Sequence, residues 1–88
     1  MVNLMENNNE EIFSPLQMNL INLLKRNGSM TRAEIVQKMR YNDGRNVPRT
    51  TCYDNLMGLM SINIVYKYSR PTNARGRPLV YFRLNEGV

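Results

Sequence analysis

Five bases lie between positions 67 and 83, namely Lys67, Arg70, Arg75, Arg77 and Arg83, and no acid stands among them. A one-sided basic run suits a nucleic-acid backbone, because each cation that neutralises a phosphate releases a condensed counterion. The same run also suits a solvated face kept basic for solubility. Upstream, Arg49, Thr50, Thr51 and Tyr53 bring groups that can read base edges. Arginine bonds bidentately to guanine, and threonine offers a hydroxyl or a methyl contact. The plainer assignment for these four is the exposed face of an ordinary helix. Tyr66, Tyr68, Tyr81 and Phe82 have the ring chemistry of a single-strand stacking platform. Aromatics at a spacing of two in a hairpin more commonly pack on helices, and that is the expectation here.

Other chemistries lack their residues. The chain has no histidine and one cysteine, so neither an imidazole base nor a zinc site of the Cys/His type can be assembled. Asp43 and Asp54 stand eleven positions apart with no acid between them, and no glycine-rich phosphate loop is present. A catalytic role and a bound cofactor are therefore not expected. Cys52 cannot form an internal disulfide, which suits a reducing, cytoplasmic setting, and its neighbours make it a buried structural thiol.

Charge is distributed unevenly. Residues 1–13 hold Glu6, Glu10 and Glu11 and no base, whereas residues 14–88 hold twelve bases against four acids, a difference of +8 within a formal net charge of +5. Eighty-eight residues allow one compact domain with a modest core. No stretch approaches the roughly 20 apolar residues of a membrane-spanning helix. Residues 1–11 carry no basic region followed by an apolar run, so a secretory signal is not expected.

The elements that must position these residues announce themselves by their caps. Residues 1–13 read as a flexible arm, with Leu4, Met5, Ile12 and Phe13 as points of attachment. Ser14 is a good N-cap, Pro15 suits the first helical position, and Gln17 completes a capping box; Phe13 and Met18 occupy staple positions. Leu16, Leu20, Ile21, Leu23 and Leu24 follow at helical spacing, and Gly28 suits a left-handed C-terminal cap, giving a helix over about 15–26. Thr31 and Glu34 repeat the box for a short helix over 32–39, with Ile35, Val36 and Met39 as its apolar stripe. Residues 28–30 have room for a very short strand. Residues 40–46 form a loop around Asp43-Gly44. A third helix starts near Pro48, buries Val47, Cys52, Leu56, Leu59 and Met60, and turns Arg49, Thr50, Thr51, Tyr53 and Asn55 mostly outward. Asn63 takes its left-handed cap. The period then becomes two: residues 64–68 and 79–84 predict strands, joined by a basic tip over 69–78 whose base Pro71 and Pro78 stiffen.

Helix, helix, helix, strand, basic loop, strand is an α+β order, that of a winged helix-turn-helix with a two-stranded β-hairpin wing. The segment Val47-Pro48-Arg49-Thr50-Thr51-Cys52-Tyr53-Asp54-Asn55-Leu56 resembles the recognition helix of archaeal winged helix-turn-helix transcription regulators of the TrmB-like and MarR-like kind. Ile64-Val65 is similar to their helix-to-strand step, and Arg75-Gly76-Arg77-Pro78-Leu79-Val80-Tyr81-Phe82 to their wing and last strand. The resemblance spans residues 14–84. It implies that Arg49, Thr50, Thr51, Tyr53 and Asn55 face the major groove or its flanking phosphates, and that Arg70, Arg75 and Arg77 lie on a wing near the minor groove or backbone; Lys67, from the same basic run, joins them as a candidate DNA contact. It also implies an archaeal, plasmid or viral setting. Two departures stand out: the loop before the third helix is longer than a tight turn, giving Arg40 and Arg45 room for extra contacts, and Asn63 replaces the usual glycine. Nothing corresponds to a ligand-sensing domain, so a sugar-responsive role does not carry over.

The resulting expectation is a sequence-specific duplex-DNA regulator that acts by occupancy. It would be a homodimer paired through residues 1–13 and the surplus apolar side chains Met18 and Leu23 of the first helix. A winged-helix protein-interaction module and a non-specific architectural DNA binder are the alternatives.

Overall fold

The computed structural model describes residues 13–71 and 78–85. Three helices and three short strands follow one another: α1 (Pro15–Asn27), β1 (Met30–Thr31), α2 (Arg32–Lys38), α3 (Arg49–Ser61), β2 (Val65–Arg70) and β3 (Leu79–Leu84). The strands form one antiparallel sheet in the order β1-β3-β2.

The helix starts follow the local grammar of their caps. Ser14 Oγ accepts from the Gln17 amide at 3.1 Å while Gln17 Oε1 accepts from the Ser14 amide at 3.0 Å, so two orphan donors of the first turn are satisfied reciprocally. Thr31 and Glu34 make the same box at the start of α2. α3 begins after Pro48 with no side-chain cap, and the fixed proline φ substitutes as a preset entry. It ends as Asn63 turns left-handed at φ 63°, the conformation that asparagine tolerates better than other non-glycine residues. Gly28 and Gly44 supply the other positive φ values, at the end of α1 and in the loop over 40–46.

The sheet has three strands where a two-stranded hairpin was expected. Met30 and Thr31 pair with Phe82 and Tyr81, so the stretch before α2 closes the open edge of β3. Thr31 serves at once as strand end and as N-cap, which locks α2 to the sheet. β2 and β3 pair in register from Val65↔Leu84 to Arg70↔Leu79.

Leu20, Ile21, Leu23 and Leu24 of α1, Met30, Ile35, Met39, Val47, Cys52, Leu56 and Leu59, with Val65 and Phe82 of the sheet, form a single core. Each fully buried aliphatic side chain contributes roughly 1.5–3 kcal/mol relative to exposure. Leu23 is 6% exposed, so it belongs to this core and is not surplus for pairing two subunits; Met18, at 37%, is the exposed apolar residue of α1. Met60 lies at the rim, half-buried rather than inside. α1 packs on α3, and at Gly58 the approach is close: a Cβ there would stand 3.1 Å from Gln17 Nε2.

The loop over 40–46 is a folded turn. Arg40 and Asn46 form an antiparallel bridge, the Tyr41 amide donates to Arg45 O at 2.9 Å, and the Gly44 amide donates to Tyr41 O at 2.8 Å. Asn19 of α1 holds it by donating from Nδ2 to Asn42 Oδ1 at 2.8 Å.

Candidate nucleic-acid interface

α3 sets the orientation of the candidate residues. Cys52, Leu56 and Leu59 face the core, so the opposite stripe, at spacings of four, three and four, is Thr50, Asp54, Met57 and Ser61, and all four are exposed. Only Thr50 of this stripe was expected among the outward candidates. Thr51 and Asn55 fall on the flank that Gly58 turns toward α1, and both are half-buried; Asn55 Nδ2 donates back to Thr51 O at 2.7 Å. Tyr53 is half-buried against the core on the other flank. Arg49, the first residue of α3, is exposed on that same flank.

A cation that sequence reasoning missed stands beside Tyr53. The Arg32 guanidinium, from the first residue of α2, lies 5.0 Å from the Tyr53 ring centroid. Two clefts flank this pair. One, lined by Arg32, Val36, Gln37, Arg49 and Tyr53, runs between α2 and α3. The other, about 280 Å³, runs between α3 and the sheet, with Leu56, Met57, Met60, Val80 and Phe82 as its apolar lining and Arg32 and Lys67 as its cations. Arg32, Arg49, Tyr53 and Lys67 therefore share one continuous surface. The signal for Arg32 lay in the capping box: Thr31 as N-cap makes residue 32 the first of the helix and leaves it exposed.

The strand alternation divides the remaining cations. Lys67 pairs with Phe82, so it shares the face of the sheet that meets the helices. Tyr66, Tyr68 and Arg70 lie on the outer face with their partners Arg83, Tyr81 and Leu79. Of the four aromatics expected against helices, only Phe82 is buried there; the tyrosines stack outside, because neighbouring positions of a strand point to opposite faces. The Tyr66 and Tyr68 centroids are 6.0 Å apart, the Tyr68 and Tyr81 centroids 5.8 Å apart, and the Arg70 guanidinium covers the Tyr81 ring at 5.0 Å. Tyr68 Oη donates to Ser29 Oγ at 2.6 Å. Tyr68 and Tyr81 thus stack on one another, while Tyr66 remains exposed.

The loop cations are engaged locally. Arg45 makes the one ion pair among the described residues, Nε to Asp43 Oδ2 at 2.7 Å, and stands over the Tyr41 ring at 5.1 Å. Arg40 donates to the carbonyls of Gln37 and Met39, both at 2.7 Å, closing the end of α2. Arg75 and Arg77 lie outside the described residues, as do Leu4, Met5 and the other residues up to 12 of the arm expected over 1–13.

Cys52 is fully enclosed and burial pushes its thiol above the ordinary value, so the thiolate a nucleophile or metal ligand needs is disfavoured. No cluster of three metal-ligating side chains exists among the described residues, and no described helix is long and apolar enough to cross a membrane. Compared with protein-family models, with characterised proteins and with solved structures, the chain matches none.

Proposed function

We propose that the chain is a winged helix-turn-helix regulator that binds duplex DNA sequence-specifically, with α3 in the major groove and the β2–β3 hairpin as the wing. The observation that carries this reading is the shared surface of Arg32, Arg49 and Lys67 around the exposed stripe of α3. These three cations come from two helices and the sheet, and none has an ion-pair partner among the described residues. A helix of thirteen residues bordered on one flank by unpaired cations fits a major groove lined by phosphates. The sequence adds two further arginines, Arg75 and Arg77, between β2 and β3. A two-fold homodimer on a palindromic site completes the reading, with Met18 as its exposed apolar contact on α1.

Titration against a random duplex library at two salt concentrations, with Arg49→Ala/Lys67→Ala and Arg75→Ala/Arg77→Ala as controls, tests it. An enriched motif, with weaker binding by both double variants, is the expected result. Binding without enrichment points to an architectural role. Absence of binding at low salt sinks the DNA reading.

A second reading has its own observation. Met57 is 63% exposed at the edge of an apolar cleft, and Val80 within that cleft is 38% exposed. Large exposed apolar side chains beside a concavity mark protein-interaction sites. Under that reading the cations select an acidic partner, and Met57→Ala abolishes the association.

A further inference from the structure

Asp54 occupies the middle of the outward stripe of α3, one turn after Thr50 and one turn before Met57. It is the only acid between Gly44 and Asn85, a stretch that holds seven bases. Among the described residues it makes no ion pair, and the positions three and four away on the helix are Thr50, Thr51, Met57 and Gly58, none of them a cation. A lone carboxylate on the surface that is to approach phosphates opposes binding to any duplex whatever its sequence. One partner in the major groove removes that opposition. An ionised carboxylate only accepts hydrogen bonds, and cytosine alone among the bases presents a donor there with no adjacent acceptor: its N4 amino group. Guanine N7 and O6, adenine N7 and thymine O4 all present lone pairs to it.

We infer that Asp54 is a specificity-determining residue that demands cytosine at the base step beneath the centre of α3, and that it works mainly by rejecting other sequences. Met57, one turn on and 63% exposed, supplies the adjoining apolar contact, for which the thymine methyl group is the complementary base feature. The inference rests on the duplex-DNA reading above and extends it to a base preference.

The test is selection from a random duplex library by the unaltered protein, by Asp54→Asn and by Asp54→Ala, with circular dichroism melts to show that all three are folded. Asp54 is exposed and unpaired, so the melts are expected to coincide. The unaltered protein is expected to return a motif with a dominant cytosine. Asp54→Asn should move that position toward adenine, whose N6 and N7 an amide matches bidentately, with a change in preference of about tenfold or more. Asp54→Ala should lose the preference there and bind unrelated duplex more tightly than the unaltered protein does. A motif identical in all three proteins overturns the inference and leaves the DNA reading intact. Binding without any enriched motif also overturns it. Absence of all duplex binding overturns the DNA reading itself and the inference with it.

Discussion

Lys67 and Arg70 stand three positions apart on one strand, yet the alternation of β2 gives them opposite tasks. Lys67 faces the α3 cleft beside Arg32, whereas Arg70 covers Tyr81 on the outer face. If the chain binds duplex DNA as proposed, Lys67→Ala is therefore expected to weaken binding evenly across sequences and to lower the salt slope by about 1, as loss of a single phosphate contact does. Arg70→Ala should leave that slope in place and instead destabilise the hairpin by about 0.5–1 kcal/mol, the worth of an exposed cation–π contact. Salt-dependent titrations and denaturant melts of both variants separate the two roles, and an equal loss of slope in both would refute the division by faces. Both residues were legible in the sequence as members of one basic run. Their separation was not, because charge counting carries no register: pairing Lys67 with Phe82 requires knowing where β3 begins.

Among the elements, α2 depends most on its cap. It has seven residues, too few to stand on helix propagation alone, and its first turn is closed by the Thr31–Glu34 box. Thr31→Ala should cost about 1 kcal/mol, a fall in melting temperature of roughly 4–8 °C for a domain of this size. Glu34→Gln, which keeps the box, should restore most of it relative to Glu34→Ala. α3 offers a test of opposite sign. Gly58→Ala adds about 0.5–1 kcal/mol of helix propensity, but the new Cβ meets Gln17 Nε2 at 3.1 Å, and Gln17 is already fixed by its bond to the Ser14 amide. The expected melt is no higher than that of the unaltered chain; a gain of several degrees would show that Gln17 yields freely. Capping boxes lie within four consecutive residues, so both could be read directly from Ser14-Pro15-Leu16-Gln17 and Thr31-Arg32-Ala33-Glu34. For β1 only a short strand near residues 28–30 could be read; its bounds at Met30–Thr31 and its pairing were not legible, since they are set by Tyr81 and Phe82 at the far end of the chain. The buried face of α3 was read as Cys52, Leu56 and Leu59, and the structure agrees; only the place of Met60, at the rim, was set too deep. The packed helix leaves Met57 and Asp54 outside.

At the scale of the whole molecule, the charge around α3 comes from arginine and lysine rather than from histidine. The cysteine is the described group whose protonation is tied to folding: its thiol is raised by burial, so the folded state prefers the neutral form. That contribution is fully present below the unfolded thiol value and is lost as pH rises through the folded one. From this group, stability is expected to decline in the alkaline range, above the ordinary cysteine value, with Cys52→Ala flattening that decline. Binding should behave differently from stability and respond to salt rather than pH. If Arg32, Arg49 and Lys67 each neutralise one phosphate, their share of the slope of log affinity against log salt is about −2.7, a loss of roughly 40-fold between about 50 and 200 mM. Arg75 and Arg77 can only steepen it. Affinity measured at fixed salt from about pH 6 to 8 should stay level, because the chain has no histidine, the side chain whose charge ordinarily changes in that range. An affinity indifferent to salt, or one that moved with pH over that interval, would mean that the contacts do not run through these three side chains, and the cleft beside Met57 would become the surface to pursue.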